Sequence, residues 1–318
     1  LEFYNGVDWR QFTVSGQSGR GLIGGGYDGS GYIGYIQKVQ IATKGNAVWN
    51  GALSAARSRI SSVSNEIRGI WGGGQEPSYV NTMEYRAIAS EGTVEDFGNL
   101  SALKGYVAGM SSSSRGIWAG GYTPNPTNNI NVIDYIEIMS TGDAVDFGDI
   151  SSCPWYAGSC SSPTRGIIAG GICAPLGPLN TPKVSNIEYV TIASKSNTTD
   201  FGDLTVSRTQ MGGGYSSGTR GVFVAGSDYT TMDYITIASG GNAVFFGDVV
   251  PDHKNRTSFS SKTRGVTGGG RNPNATNIME YVEIATTGNA MDFGDLIEPN
   301  TVPDNGGLSD SHGGLGGY

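Results

Sequence analysis

The chain has 318 residues with a formal net charge of −8 and a pI near 4.8, and its Lys and Arg form no dense run, so it lacks the clustered cations that a nucleic-acid backbone demands. No stretch approaches the roughly 20 apolar residues needed to span a bilayer. The opening LEFYNGVDWRQF has neither the basic nor the apolar region of a signal peptide and no initiator Met, which reads as a chain trimmed at its start or a segment of something longer.

In chain order, one unit recurs. Arg-Gly dipeptides stand at Arg20, Arg68, Arg115, Arg165, Arg220 and Arg264, and His312-Gly313 holds the same place near the end; the intervals run from 44 to 55 residues. Each Arg-Gly leads an apolar run ending in small residues, as in RGIWGGG, RGIWAGG and RGIIAGG. A second element follows, NTMEYRAIAS, NVIDYIEIMS or SNIEYVTIAS, in which apolar and polar residues alternate as in a strand with one buried face. A Gly/Asn turn such as TGDA or GGNA leads to a third element, VEDFGN, AVDFGD, TTDFGD, AVFFGD or AMDFGD. The unit closes on a Gly/Ser-rich run such as KGYVAGMSSSS, whose small side chains suit an innermost strand near a central axis. Four short strands in a unit of about 50 residues, with no helical periodicity, predict a β-propeller of four-stranded blades.

With strands labelled A to D and B beginning at Arg-Gly, a seventh C/D-like pair opens the chain as LEFYNG and VDWRQF. The expected architecture is one domain over residues 1–318 with seven blades. Its closing blade would take A and B from 305–318 and C and D from 1–14, so that no open sheet edge is left. Little room remains for an A strand between Phe12 and Arg20, which keeps six blades with an irregular closure open.

The order of landmarks in each unit resembles a kelch repeat. A Gly pair ends strand B (Gly120-Gly121), Tyr135 follows in C, Phe147 in D, and then comes the next Arg. Kelch repeats usually carry Trp where this chain has Phe97, Phe147, Phe201, Phe246 and Phe293. The resemblance covers essentially the whole chain and implies fold, not function. The phrases RGIWAGG, DYITIAS, GNAMDFGDL and SDSHGGLGGY resemble repeats in virion structural proteins of tailed phages, cyanophages especially. The opening LEFYNGVDWRQF is similar to a short module of phage fibre and tail proteins. That resemblance implies a virion or tail-associated propeller whose partners are other virion proteins or a host-surface receptor or glycan.

The residues that recur in every unit read as structural. Arg20, Arg68, Arg115, Arg165, Arg220 and Arg264 are expected to pair with a neighbouring blade, either with the Asp of the FGD element (Asp149, Asp203, Asp248, Asp295) or with backbone carbonyls; His312 takes the Arg place once. The alternative is a ring of Arg binding an anion on the axis. The Gly clusters lack a following helix or GK[ST] and are not phosphate loops. With two His, three Cys (Cys153, Cys160, Cys173) and no GxSxG or HExxH, no metal, cofactor or catalytic residue is assigned and no enzyme is expected. A Cys153–Cys160 disulfide is an alternative to unpaired cysteines.

Function is sought where the units differ. The B–C and D–A connections emerge on one face of a propeller, and the B–C loops vary: 27–34, 75–81, 122–131, 172–185, 227–230 and 271–277. Tyr27, Tyr79, Tyr122 and Tyr229 in these loops offer flat faces to a glycan or protein, and Trp155 with Tyr156, in the D–A connection SSCPWYAGSC, joins that face as the best anchor. The expected function is non-enzymatic attachment or docking through this face, with an extracellular kelch-like carbohydrate-binding module as the alternative.

Overall fold

Alternation of apolar and polar residues in stretches such as Ile133–Glu137 makes each a strand whose Ile side chains are buried while Glu137 is exposed. The computed structural model describes residues 2–4, 9–11, 19–124, 130–152, 154–173, 183–227, 229–250, 253–300 and 306–316. Cys153, the interiors of the 122–131 and 172–185 loops, and parts of 1–14 and 305–318 lie outside these. The chain is an all-β propeller of six four-stranded antiparallel blades. Blade 2 shows the pattern, running from the innermost strand A (Ser61–Ser64) through B (Arg68–Gly72) and C (Thr82–Ala87) to D (Glu95–Asn99) at the rim. Blades 3 to 6 begin with their A strands at Ala108–Ser111, Gly158–Ser161, Gly214–Ser216 and Thr257–Ser260, and end with their D strands at Val145–Asp149, Thr199–Asp203, Val244–Asp248 and Met291–Asp295.

Blade 1 closes the ring. Its B, C and D strands are Arg20–Gly24, Tyr35–Gln40 and Val48–Ala52, and its A strand is Gly307–Ser309 from the other end of the chain. The count is therefore six, not seven, and the closure takes one strand, not two, from the C-terminal segment. Blade 3 turns from A to B with the Ser112 N–H donating to the Arg115 carbonyl and the Arg115 N–H donating to Ser112 Oγ, and Asp310 and Arg20 reproduce this across the chain ends: the Asp310 N–H donates to the Arg20 carbonyl, and the Arg20 N–H donates to the Asp310 carboxylate at 2.9 Å. The missing A strand before Arg20 is the place into which the end of the chain fits. Glu2–Tyr4 and Trp9–Gln11 pair with each other as a separate two-stranded sheet and supply no C or D strand. His312 leads no B strand. It caps a one-turn 3-10 helix, Gly313–Leu315, that packs against the A strands of blades 3, 4 and 5.

The core lies between blades. Six apolar clusters each join consecutive sheets; in one, Phe147, Ile117 and Ile133 of blade 3 meet Ile168 and Val190 of blade 4. Near the axis, each Arg-Gly glycine gives way to a side chain from the preceding A strand. A Cβ on Gly116 would lie 2.6 Å from Val63, and one on Gly166 would lie 2.2 Å from Met110. Cys160 fills this role against Gly221; among the described residues it is a free, buried thiol whose pKa burial pushes up, and Cys153, its expected disulfide partner, lies outside those residues.

Three further devices lock neighbouring sheets. The Arg guanidinium that opens strand B stacks on the strand C tyrosine of its own blade and donates to carbonyls at the end of strand C in the next blade. Arg165 lies 4.5 Å from the Tyr189 ring and donates to Ile237 and Ala238, both at 2.9 Å; Arg68, Arg115, Arg220 and Arg264 repeat the contact. The carbonyls, not the FGD carboxylates, are the partners. Asp203 and Asp248 instead accept from Ser185 and Thr230 of their own blades, while the backbone N–H groups of Asp149, Asp203, Asp248 and Asp295 donate to the turn residues Asn197, Asn242, Asn289 and Asn46 of the next blade at 3.0 Å. Arg20 departs from the set, with its guanidinium 3.9 Å from Asp310. Finally, an acid in strand C takes a buried cation from the preceding D–A connection: Arg57 with Glu84, Lys104 with Asp134, Arg208 with Asp233, Arg256 with Glu280. In blade 4, Pro154 stands where Lys104 does in blade 3, and Glu188 accepts from Ser151, Ser152 and Thr198 instead.

Candidate functional site

The A strands end in serine. Ser64, Ser111, Ser161, Ser216, Ser260 and Ser309 each donate their hydroxyl to the backbone carbonyl of the equivalent serine in the preceding blade, closing a six-membered ring around the axis. Small polar side chains are required here because six strands converge and every carbonyl facing the shaft needs a donor. His312 sits at the A–B end of this shaft. Its Nε2 lies 3.1 Å from the Ser64 carbonyl and its Nδ1 accepts from the Gly314 N–H at 3.1 Å. That arrangement defines the neutral tautomer with the proton on Nε2, and burial lowers the His312 pKa to about 4. The 3-10 turn fills this end of the axis: a Cβ on Gly314 would lie 2.0 Å from the Ser111 carbonyl.

The opposite end opens to solvent on the B–C/D–A face. Five D–A connections approach their A strands through one residue with left-handed backbone: Arg59 (φ 58°), Tyr106 (59°), Tyr156 (62°), Gln210 (51°) and Asn255 (59°). Side chains other than Gly and Asn take this conformation at a cost, so its recurrence marks a position held by its surroundings. Two neighbouring pairs are bonded to each other, with the Tyr106 N–H donating to the Arg59 carbonyl and the Asn255 N–H to that of Gln210. In blades 2, 3, 4 and 6 the B–C loop is pinned beside its own D–A connection by the bridges Ser58 to Gln75, Gly105 to Tyr122, Trp155 to Ile172 and Lys254 to Arg271.

This architecture draws aromatic residues of blades 2, 3 and 4 into one cluster. Ring centroids lie 5.5 Å apart for Tyr79 and Tyr122, 5.4 Å for Tyr122 and Trp155, 4.7 Å for Trp155 and Tyr156, and 4.2 Å for Tyr106 and Tyr156. Arg59 lies 4.8 Å from the Tyr106 centroid and donates to the Tyr79 hydroxyl at 3.0 Å and to Gln75. Burial works against the Arg59 charge, but Tyr106 and Tyr79 more than offset it and its pKa is raised. Across the mouth, Tyr27 and Tyr32 stack edge-on at 5.8 Å.

Of the residues singled out from the sequence, Tyr79, Tyr122, Trp155 and Tyr156 thus meet in one patch and Tyr27 lies across the mouth from it. They are not loop tips in solvent: Tyr156 is buried, and the others are half-buried against one another. Tyr229 stands apart, with the Lys183 ammonium 5.9 Å from its ring centroid. Arg59, Tyr106, Asn255, Tyr32 and Arg271 also belong to the mouth. The first three could have been found by aligning the units on the position two residues before strand A; Tyr32 and Arg271 carry no such signal. Among the described residues, no group of three or more His, Cys, Asp or Glu is placed to hold a metal ion, and none of the helices is long and apolar enough to cross a membrane.

No protein-family model matches the chain, and no curated protein sequence matches it.

Proposed function

We propose that the chain is a non-enzymatic, virion-associated propeller that mediates attachment or protein docking through its B–C/D–A face. The observation that carries the reading is the aromatic patch of Tyr79, Tyr106, Tyr122, Trp155 and Tyr156, gathered with Arg59 beside the axial mouth. Aromatic and Arg side chains dominate recognition hot spots because they bury much area at little entropic cost. The rigid ring beneath them keeps that patch preorganised. The virion setting rests on the resemblance of the repeat phrases to those of tailed-phage particle proteins.

Two measurements test this. Mass spectrometry of purified particles should find the chain in stoichiometric amount; its absence defeats the virion assignment. The isolated chain should adsorb to host-cell envelopes or to purified particle proteins, and Trp155→Ala should reduce that adsorption at least tenfold. Adsorption indifferent to Trp155→Ala removes this face from the function.

A further inference from the structure

We propose that the axial mouth is a subsite for an anionic sugar unit, one that carries a carboxylate or sulfate beside free hydroxyls. This rests on the reading of the B–C/D–A face as the recognition surface and names the ligand class for it.

A cavity of about 310 Å³ opens at the axis, bounded by residues of five of the six blades: Tyr27 and Tyr32 of blade 1, Arg59 of blade 2, Tyr106 of blade 3, Tyr156 of blade 4, and Asn255 with Arg271 of blade 6. That volume stands at the lower end of small-ligand pockets, ~300 Å³, and suits one or two sugar rings. Its chemistry differs from that of the whole chain. The net charge of the protein is −8, yet the cavity lining holds two guanidinium groups and no Asp or Glu. Planar guanidinium forks match carboxylate and sulfate oxygens, and an attracted anion gains most where no acid competes.

A second observation separates a sugar from a bare anion. Asn255 is 4% exposed, and its Oδ1 has no hydrogen-bond partner. A buried acceptor left unmet is costly, and it requires a donor. Carboxylate and sulfate oxygens are acceptors and leave it unmet; a hydroxyl two or three bonds from the anionic group meets it. Tyr27 and Tyr32, partly exposed, supply ring surface for the C–H face of a pyranose, while Tyr106 and Tyr156 form the opposite wall. The left-handed backbone at Arg59, Tyr106, Tyr156 and Asn255 places four lining side chains from four blades around one opening.

Isothermal titration of the full chain with four probes tests the assignment: oligogalacturonate, a sulfated oligosaccharide, uncharged maltohexaose, and sodium acetate with sodium sulfate. Binding of one or both anionic oligosaccharides is expected, weakening with salt, with at least tenfold loss in Arg271→Gln and in Asn255→Gly. Arg271 is exposed and Gly accepts the left-handed backbone, so both variants should keep the parent melting temperature. Which anionic probe binds identifies the acidic group. Maltohexaose binding as tightly as the charged oligosaccharides overturns the proposal, as does equal binding of the simple ions, binding unaffected by both variants, or no binding of any probe. If sugar binding fails while adsorption still depends on Trp155, the subsite is refuted and the attachment face stands; if both fail, the functional reading falls as well.

Discussion

Replacing Lys104 by Met strands a buried charge. Lys104 Nζ lies 2.9 Å from Asp134 Oδ2, and both side chains are 0% exposed. After the substitution the Asp134 carboxylate keeps the Ser101 N–H at 3.1 Å but no counter-charge. Breaking a buried pair from one side costs about 3–5 kcal/mol. The entropy of unfolding, ~2.1 cal/mol/K per residue, gives roughly 0.7 kcal/mol/K for 318 residues. The melting temperature of Lys104→Met should therefore fall by about 4–8 °C. The double variant Lys104→Met with Asp134→Leu removes both charges and should recover most of the loss, because paired burial is near neutral against apolar packing. Blade 4 already manages without the cation, through Pro154 and the hydroxyls around Glu188. Denaturant and thermal melts of the parent, two single variants and the double variant form the cycle. A Lys104→Met melt indistinguishable from the parent, or a double variant no more stable than the single, would refute the claim that these links carry charge pairs.

Phe147→Ala opens a cavity between blades 3 and 4 and should cost about 3–5 kcal/mol by denaturant melt, since Phe147 is 2% exposed; an unchanged midpoint would remove it from that core. His312 has its folded pKa depressed to about 4, so the unfolded chain binds more protons between pH 6.5 and 4. Its contribution is complete above pH 6.5 and is lost as the pH falls toward 4, up to about 3 kcal/mol, less for the solvent contact the ring retains. His312→Gln should flatten that part of the stability profile relative to the parent, and parallel profiles would contradict the neutral, buried imidazole. Removing residues 306–318 takes away the A strand of blade 1 and one serine of the axial ring, and should abolish cooperative melting. Removing residues 1–14 should leave the melting temperature unchanged, because the two strands there pair only with each other among the described residues; a large fall would show a contact with the ring.

The blade was legible in the chain because its signals are local. Alternation in NVIDYIEIMS, the Gly/Asn turns and the Arg-Gly spacing each follow from neighbouring residues obeying the period of a strand. The aromatic residues of the face could be named for the same reason, from their loops. Blade number was not local: it depended on whether residues 305–318 supplied one strand or two, and Asp310 decided it by completing the turn to Arg20 across the chain ends. Nor could spacing tell carbonyl from carboxylate as the partner of Arg165, because both lie in the next blade and only packing orders them by distance. The axial mouth belongs wholly to the tertiary structure. Arg59, Tyr106, Asn255 and Arg271 are separated by up to 212 residues, and what makes them neighbours is the closing of six sheets around one axis.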